Sequence, residues 1–188
     1  MAEVLLCSEI FVKNVMSISD NVAGKFIMPS IREAQEIGFQ GIVGTNVYNK
    51  VRELVGSGEI ESPANAMYKA LLDKAQYYIA YTAIVEICPK VTFKVANAGV
   101  VKTADENVNG ASADEVGKVQ EYYQAKADFL AYELQQWILD NATAFTELSQ
   151  NDCRHIASEL YSSASSGVFL GGARGKGFGL RRCRRTRQ

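Results

Sequence analysis

The chain has 188 residues, 47% of them hydrophobic and 22% charged, with a formal net charge of −1, a composition that argues against global disorder and for one domain burying roughly 70% of its unfolded surface. The longest uncharged apolar stretch, Tyr77 to Val85, is too short to span a bilayer. The small net charge hides a segregation: seven of the 20 bases (Arg174, Lys176, Arg181, Arg182, Arg184, Arg185 and Arg187) lie at the C-terminus, no acid follows Glu159, and the rest holds 13 bases against 21 acids, so a body of −8 carries a tail of +7.

Glu3 and Glu9 around Val4-Leu5-Leu6 do not form the basic flank and cleavage site of a signal peptide, so a reducing cytoplasm is the expected folding compartment. Cys7, Cys88, Cys153 and Cys183 are widely spaced, which points to free thiols rather than a disulfide framework. Ile18-Ser-Asp-Asn21 reads as a helix start leading to about Ile37, with Pro29 expected to kink or divide it and Gly38 and Gly41 to punctuate it. A second helix is expected from Thr45 to Val55, with Val47, Val51 and Leu54 on one face and Gly56-Ser-Gly58 as the stop. For the third, Ser62 caps, Pro63 takes the first position, and the body runs to about Ile87, where Pro89 ends it.

Val91-Thr-Phe-Lys-Val95 then alternates apolar and polar, the period of a half-buried strand, with Val91, Phe93 and Val95 sharing a face. Asn97-Ala-Gly99 can turn the chain and Val100 to Thr103 return it, which predicts a β-hairpin near 91–103. Ser112 with Glu115 is a capping-box signature opening a long helix to about Asn141. Its apolar stripe is Val116, Val119, Tyr123, Ala127, Leu130, Leu134 and Trp137. The tyrosines of the two long helices, Tyr77, Tyr78, Tyr81, Tyr122, Tyr123 and Tyr132, are expected to pack the helices together, some reaching subunit contacts. A shorter helix is expected around Asp152 to Tyr161. Residues 162–188 form a Ser/Gly- and Arg-rich tail with one apolar triad, Val168-Phe169-Leu170.

Catalytic chemistry is sparse. The single histidine, His155, sits two residues from Cys153, and i, i+2 side chains on a helix diverge. Glu33 and Glu36 read as a solvated helix face rather than an acid–base pair. Gly171 to Gly179 imitates a phosphate loop, but Gly177 and then Phe178 follow Gly175-Lys176, where that motif has Ser or Thr at the mouth of a helix. No catalytic, metal or cofactor residue is therefore expected.

Several short stretches together resemble a known family. Ser8-Glu-Ile-Phe-Val-Lys-Asn-Val15, then Ile18-Ser-Asp-Asn-Val22, is similar to the opening of the head–tail connector (adaptor) proteins of tailed bacteriophages, above all the ring proteins of crAss-like phages. Ile27-Met-Pro-Ser-Ile-Arg-Glu-Ala-Gln-Glu-Ile37 and Ile42-Val-Gly-Thr-Asn-Val-Tyr-Asn-Lys-Val-Arg-Glu-Leu54 continue the likeness, which spans about residues 8–145. The Arg cluster from Arg181 to Arg187 matches no pattern of that family. The resemblance implies a mainly α fold: a helical bundle over 1–161 with an inserted β-hairpin, and an extended C-terminal tail. It also implies a structural virion protein, assembled in the host cytoplasm into a ring of twelve copies that joins the portal to the tail and lines the channel for packaged DNA. Candidate partner contacts are Val91, Phe93 and Val95 in the hairpin, and Val168, Phe169, Leu170 and the seven tail bases. The competing expectation is a nucleic-acid-binding protein acting through those bases.

Overall fold

The computed structural model describes residues 4–16, 18, 22–96, 99–102, 112–148 and 156. It is mainly helical. The first helix, α1 (Glu9–Met16), starts where the Ser8 hydroxyl accepts from the Phe11 amide at 3.1 Å, and an i, i+4 pair between Glu9 and Lys13 reinforces it. Val12 and Met16 are its buried face.

The next helix, α2 (Gly24–Glu33), is preceded by Ala23 in an extended conformation; Ser19, Asp20 and Asn21 lie outside the described residues. Pro29 neither divides it nor stops it. One missing amide is a limited loss inside a helix whose Ile27, Ser30 and Ile31 are buried, and the helical path continues. It widens afterwards, into a π-helical turn over Ala34–Phe39, and tightens again into α3 (Gln40–Val43). Gly38 and Gly41 therefore lie within helical backbone. A Cβ on Gly38 would come 2.5 Å from the Tyr78 hydroxyl, so glycine is what lets the two segments meet. The break falls at Gly44, with φ 82°.

The π turn also aims a polar side chain into the core. Gln35, 1% exposed, accepts from the Leu6 amide at 2.9 Å and donates to the Val4 carbonyl at 3.1 Å, while Gln76 donates to the Leu6 carbonyl at 3.0 Å. Two glutamines thus hold the N-terminal segment much as a neighbouring strand would. Beside it Cys7 is a free thiol whose pKa burial pushes up to about 12. Gln35→Leu should leave the Leu6 amide and Val4 carbonyl buried without partners and cost about 2–4 kcal/mol. Urea denaturation measures this, and a loss under about 0.5 kcal/mol would show the clasp to be dispensable.

Helix α4 (Thr45–Ser57) buries Val47, Tyr48, Val51 and Leu54 and ends at Gly58, whose left-handed φ of 77° favours glycine. Two short turns, Glu59–Glu61 and Pro63–Asn65, lead to α5 (Ala66–Thr92). Ser62 occupies an extended position but makes no side-chain cap. Helix α5 is the axis of the fold, touching α1, α2, the π turn and a later helix, α6 (Ala113–Asp140). Its buried residues, among them Leu71, Leu72, Ala75, Ile79, Ala80 and Ala83, consequently lie on more than one stripe.

Pro89 does not end α5, which continues to Thr92. Proline lacks the amide that would bond to the Val85 carbonyl, and Gln120 of α6 supplies that bond instead, its Nε2 at 3.0 Å. The Thr92 hydroxyl donates to the Cys88 carbonyl at 2.9 Å. Val91 consequently sits in the last helical turn, 37% exposed, and does not share a strand face with Phe93 and Val95. The chain turns extended only at Phe93, where β1 (Phe93–Ala96) pairs antiparallel with β2 (Gly99–Lys102), Phe93 opposite Lys102 and Ala96 opposite Gly99.

Helix α6 opens with a full capping box: the Ser112 hydroxyl accepts from the Glu115 amide at 3.3 Å, and the Glu115 carboxylate accepts from the Ser112 amide at 2.7 Å. It is about 42 Å long. Phe145, Leu148 and Ile156 complete the core. The rest of the expected helix around 152–161 and the whole of 162–188 lie outside the described residues. Among the described residues no helix is long and apolar enough to cross a membrane.

Candidate interaction surface

Two faces of α6 carry apolar residues, and among the described residues only one is covered. Val116, Ala127, Leu134 and Ile138 are buried, with Tyr123, Leu130 and Trp137 packed partly against the core. On the other face Val119 is 44% exposed, Tyr122 57%, Phe129 62% and Tyr132 43%. Val119, Tyr122, Lys126 and Phe129 are spaced 3, 4 and 3, so they form a second helical stripe. Val119 belongs to this exposed stripe, not to the core stripe in which its spacing from Val116 and Tyr123 places it.

A groove of about 450 Å³ runs where this stripe meets α5, lined by Tyr81, Tyr122, Ala125, Lys126, Phe129 and Leu130. Tyr123 sits against both Tyr81 and Tyr122, with ring centroids 6.3 and 5.3 Å away. Lys126 donates to the Tyr122 hydroxyl at 2.6 Å and lies 4.2 Å over that ring and 5.7 Å over Tyr81. That hydrogen bond holds its ammonium above the ordinary lysine range. Glu121, Asp128 and Glu133 are exposed on the same helix. Over its whole length α6 has six acids and two lysines.

Past α6 the chain folds back onto the start of α5. Phe145 makes edge contacts with Tyr68 (5.3 Å) and Trp137 (6.0 Å), and the Tyr68 hydroxyl donates to the Glu147 carboxylate. Burial, then the bond to Glu147, pushes Tyr68 up to about 12. Burial also opposes ionisation of Glu147, but hydrogen bonds from Tyr68, its own backbone and Thr146 outweigh it and hold the carboxyl below its ordinary value. The pair's contribution is therefore present above an unfolded pKa of about 4.3 and lost as pH falls through the lower folded value. Tyr68→Phe should cost about 1–2 kcal/mol at neutral pH, with the difference from the parent shrinking in acid. Denaturation at neutral pH and at about pH 3 checks the sign.

A second hollow, about 390 Å³, is bounded by Glu36, Ile37, Gln40, Gly41, Gly44, Thr45 and Ile156. Among the described residues that line it, Glu36 is the one ionisable group. No cluster of three or more His, Cys, Asp or Glu able to hold a metal occurs among the described residues. Glu33 is joined to Lys90, which also donates to Ser30 at 3.1 Å and lies 3.7 Å from Glu86, so that carboxylate braces α2 against the end of α5.

Of the residues expected to meet partners, Phe93 is half-buried at the start of β1, Val91 is helical and Val95 lies in β1. Val168, Phe169, Leu170, Arg174, Lys176, Arg181, Arg182, Arg184, Arg185 and Arg187, like His155 and Cys153, fall outside the described residues. Of the six tyrosines, Tyr78 is buried and Tyr81 and Tyr123 pack partly between the helices, whereas Tyr77, Tyr122 and Tyr132 face outward. Phe129, the most exposed ring of the groove, is not signalled by the core periodicity; the seven-residue interval from Tyr122 is the signal for it.

These features define a mainly helical protein whose clearest surface is an interhelical aromatic groove. The profile of a family of unknown function, DUF6712, matches residues 39–158, nearly two thirds of the chain, and the chain belongs to that family. The match includes both groove helices. No curated protein and no solved structure matches.

Proposed function

We propose that the chain is a structural virion protein, one subunit of a phage head–tail connector ring that joins the portal to the tail and lines the DNA channel. It takes no cofactor and performs no catalytic step. Its partners are copies of itself, the portal, neighbouring ring or tail proteins and the DNA that passes them. The ordered series of short likenesses from Ser8 to Leu54 supplies the phage connection. The observation that carries the assembly role is the aromatic face of α6, which the described part of the chain leaves open at Val119, Tyr122, Phe129 and Tyr132. The hairpin Phe93–Ala96 and Gly99–Lys102, inserted between the two long helices, is assigned to contacts with the helices or the next subunit, since two strands alone are marginal.

Micrographs of the purified protein, alone and with the candidate portal, and its copy number in intact particles test the proposal. Closed rings and about twelve copies are expected; one or two copies per particle would rule out a ring. The seven C-terminal bases favour one other reading, sequence-independent binding of nucleic acid. Its weakness is the body of −8, which repels phosphate.

A further inference from the structure

We infer that the groove between α5 and α6 receives the C-terminal segment, residues 168–187, of a neighbouring copy of this chain; assigning it to a neighbour rests on the ring reading above. The groove offers an apolar wall at Tyr122, Phe129 and Leu130 on a helix that carries six acids against two lysines. The sequence beyond Ile156 offers the complement: one contiguous apolar triad, Val168-Phe169-Leu170, followed by seven bases and no acid.

Position fixes the register. Lys126 already stands in the groove over the rings of Tyr81 and Tyr122, so an arginine cannot occupy that point without like-charge repulsion. The apolar triad therefore belongs against Phe129 and Lys126, with the bases beyond it. Arg174 and Lys176 follow Leu170 by four and six residues, roughly 13–20 Å of extended chain. Along α6, Glu121 and Asp140 lie about 12 and 16 Å from Phe129, and Asp128 and Glu133 within one turn or so. Basic side chains can thus reach acids while the triad stays seated. Thirteen residues lead from Ile156 to Phe169, up to roughly 43–47 Å of extended chain. The same acids disfavour DNA as the occupant.

The test uses the full-length chain with benzoylphenylalanine, a photo-crosslinking residue, at position 169. Heavy- and light-isotope copies are mixed before assembly. Irradiation should join the tail of one isotope to the α6 segment 119–132 of the other. Phe129→Asp, a change at an exposed site, should reduce that product about tenfold or more with helicity by circular dichroism unchanged. Cross-links confined to single chains, cross-links to another surface or to the portal, or an undiminished yield with Phe129→Asp would each overturn the assignment. Rings seen in the same sample with cross-links elsewhere would sink the groove assignment alone. Absence of both rings and mixed-isotope products would remove the ring reading with it.

Discussion

Leu134→Ala should destabilise the protein by about 3 kcal/mol, whereas Val119→Ala should stay within about 0.5 kcal/mol of the parent. Both side chains lie on α6, and both fall on the stripe that its spacing marks as apolar. Leu134 is 2% exposed and belongs to the core; removing its branch leaves a cavity between two long helices that cannot close without shifting both. Val119 is 44% exposed on the free face, so truncation removes little that is buried. Urea denaturation of the two variants at one pH measures the contrast. Equal losses would mean that α6 is seated about its axis differently from the arrangement described above. The same pair separates stability from assembly, because Val119 shares the exposed stripe with Tyr122 and Phe129 and its loss should register in ring formation rather than in unfolding.

The contrast also shows where sequence was informative. Local chemistry was legible: Ser112 and Glu115 form the expected reciprocal cap, Gly58 ends α4 in the left-handed region, and Val47, Val51 and Leu54 form one buried face. Each depends on residues within a few positions of one another. What was not legible depends on distant partners. Pro89 fails to stop α5 because a glutamine 31 residues later satisfies the carbonyl that proline orphans. Gln35 is buried through partners 29 and 31 residues away, the Leu6 amide and the Val4 carbonyl, which no local pattern signals. Val119 and Phe129 expose a deeper limit. A helix with apolar residues on two faces yields more than one stripe from the same spacing, and periodicity does not say which face the chain covers itself. The groove was accordingly invisible, although the charge segregation from which an occupant is proposed was plain in the sequence.

Deleting residues 174–188 should leave the helical body folded and weaken docking to the next subunit or the portal about tenfold or more at low salt. The core is built from residues between Leu6 and Leu148, with Ile156, so melting temperature and helicity should not change. Docking should, because the deletion removes all seven bases of the tail and leaves a chain of −8 facing other chains of −8. The salt dependence distinguishes charge from packing. With a Debye length of about 10 Å at 0.1 M and about 3 Å at 1 M, added salt should weaken the full chain and barely affect the truncation, so that the two converge. A gap that persists unchanged at high salt would place the tail's contribution in packing rather than charge, and truncated protein entering particles as well as the full chain would leave the tail without an assembly role. Duplex DNA provides the opposing outcome. If the full chain binds it tightly at physiological salt, with log K falling about six-fold as steeply as log salt rises, seven phosphates are being neutralised. Loss of that binding on truncation would then transfer the basic segment from the neighbouring subunit to nucleic acid. The exposed acids of α6, Glu121, Asp128 and Glu133, argue for the protein partner, since on the proposed connector role the subunit has to hold its neighbours while DNA moves past them.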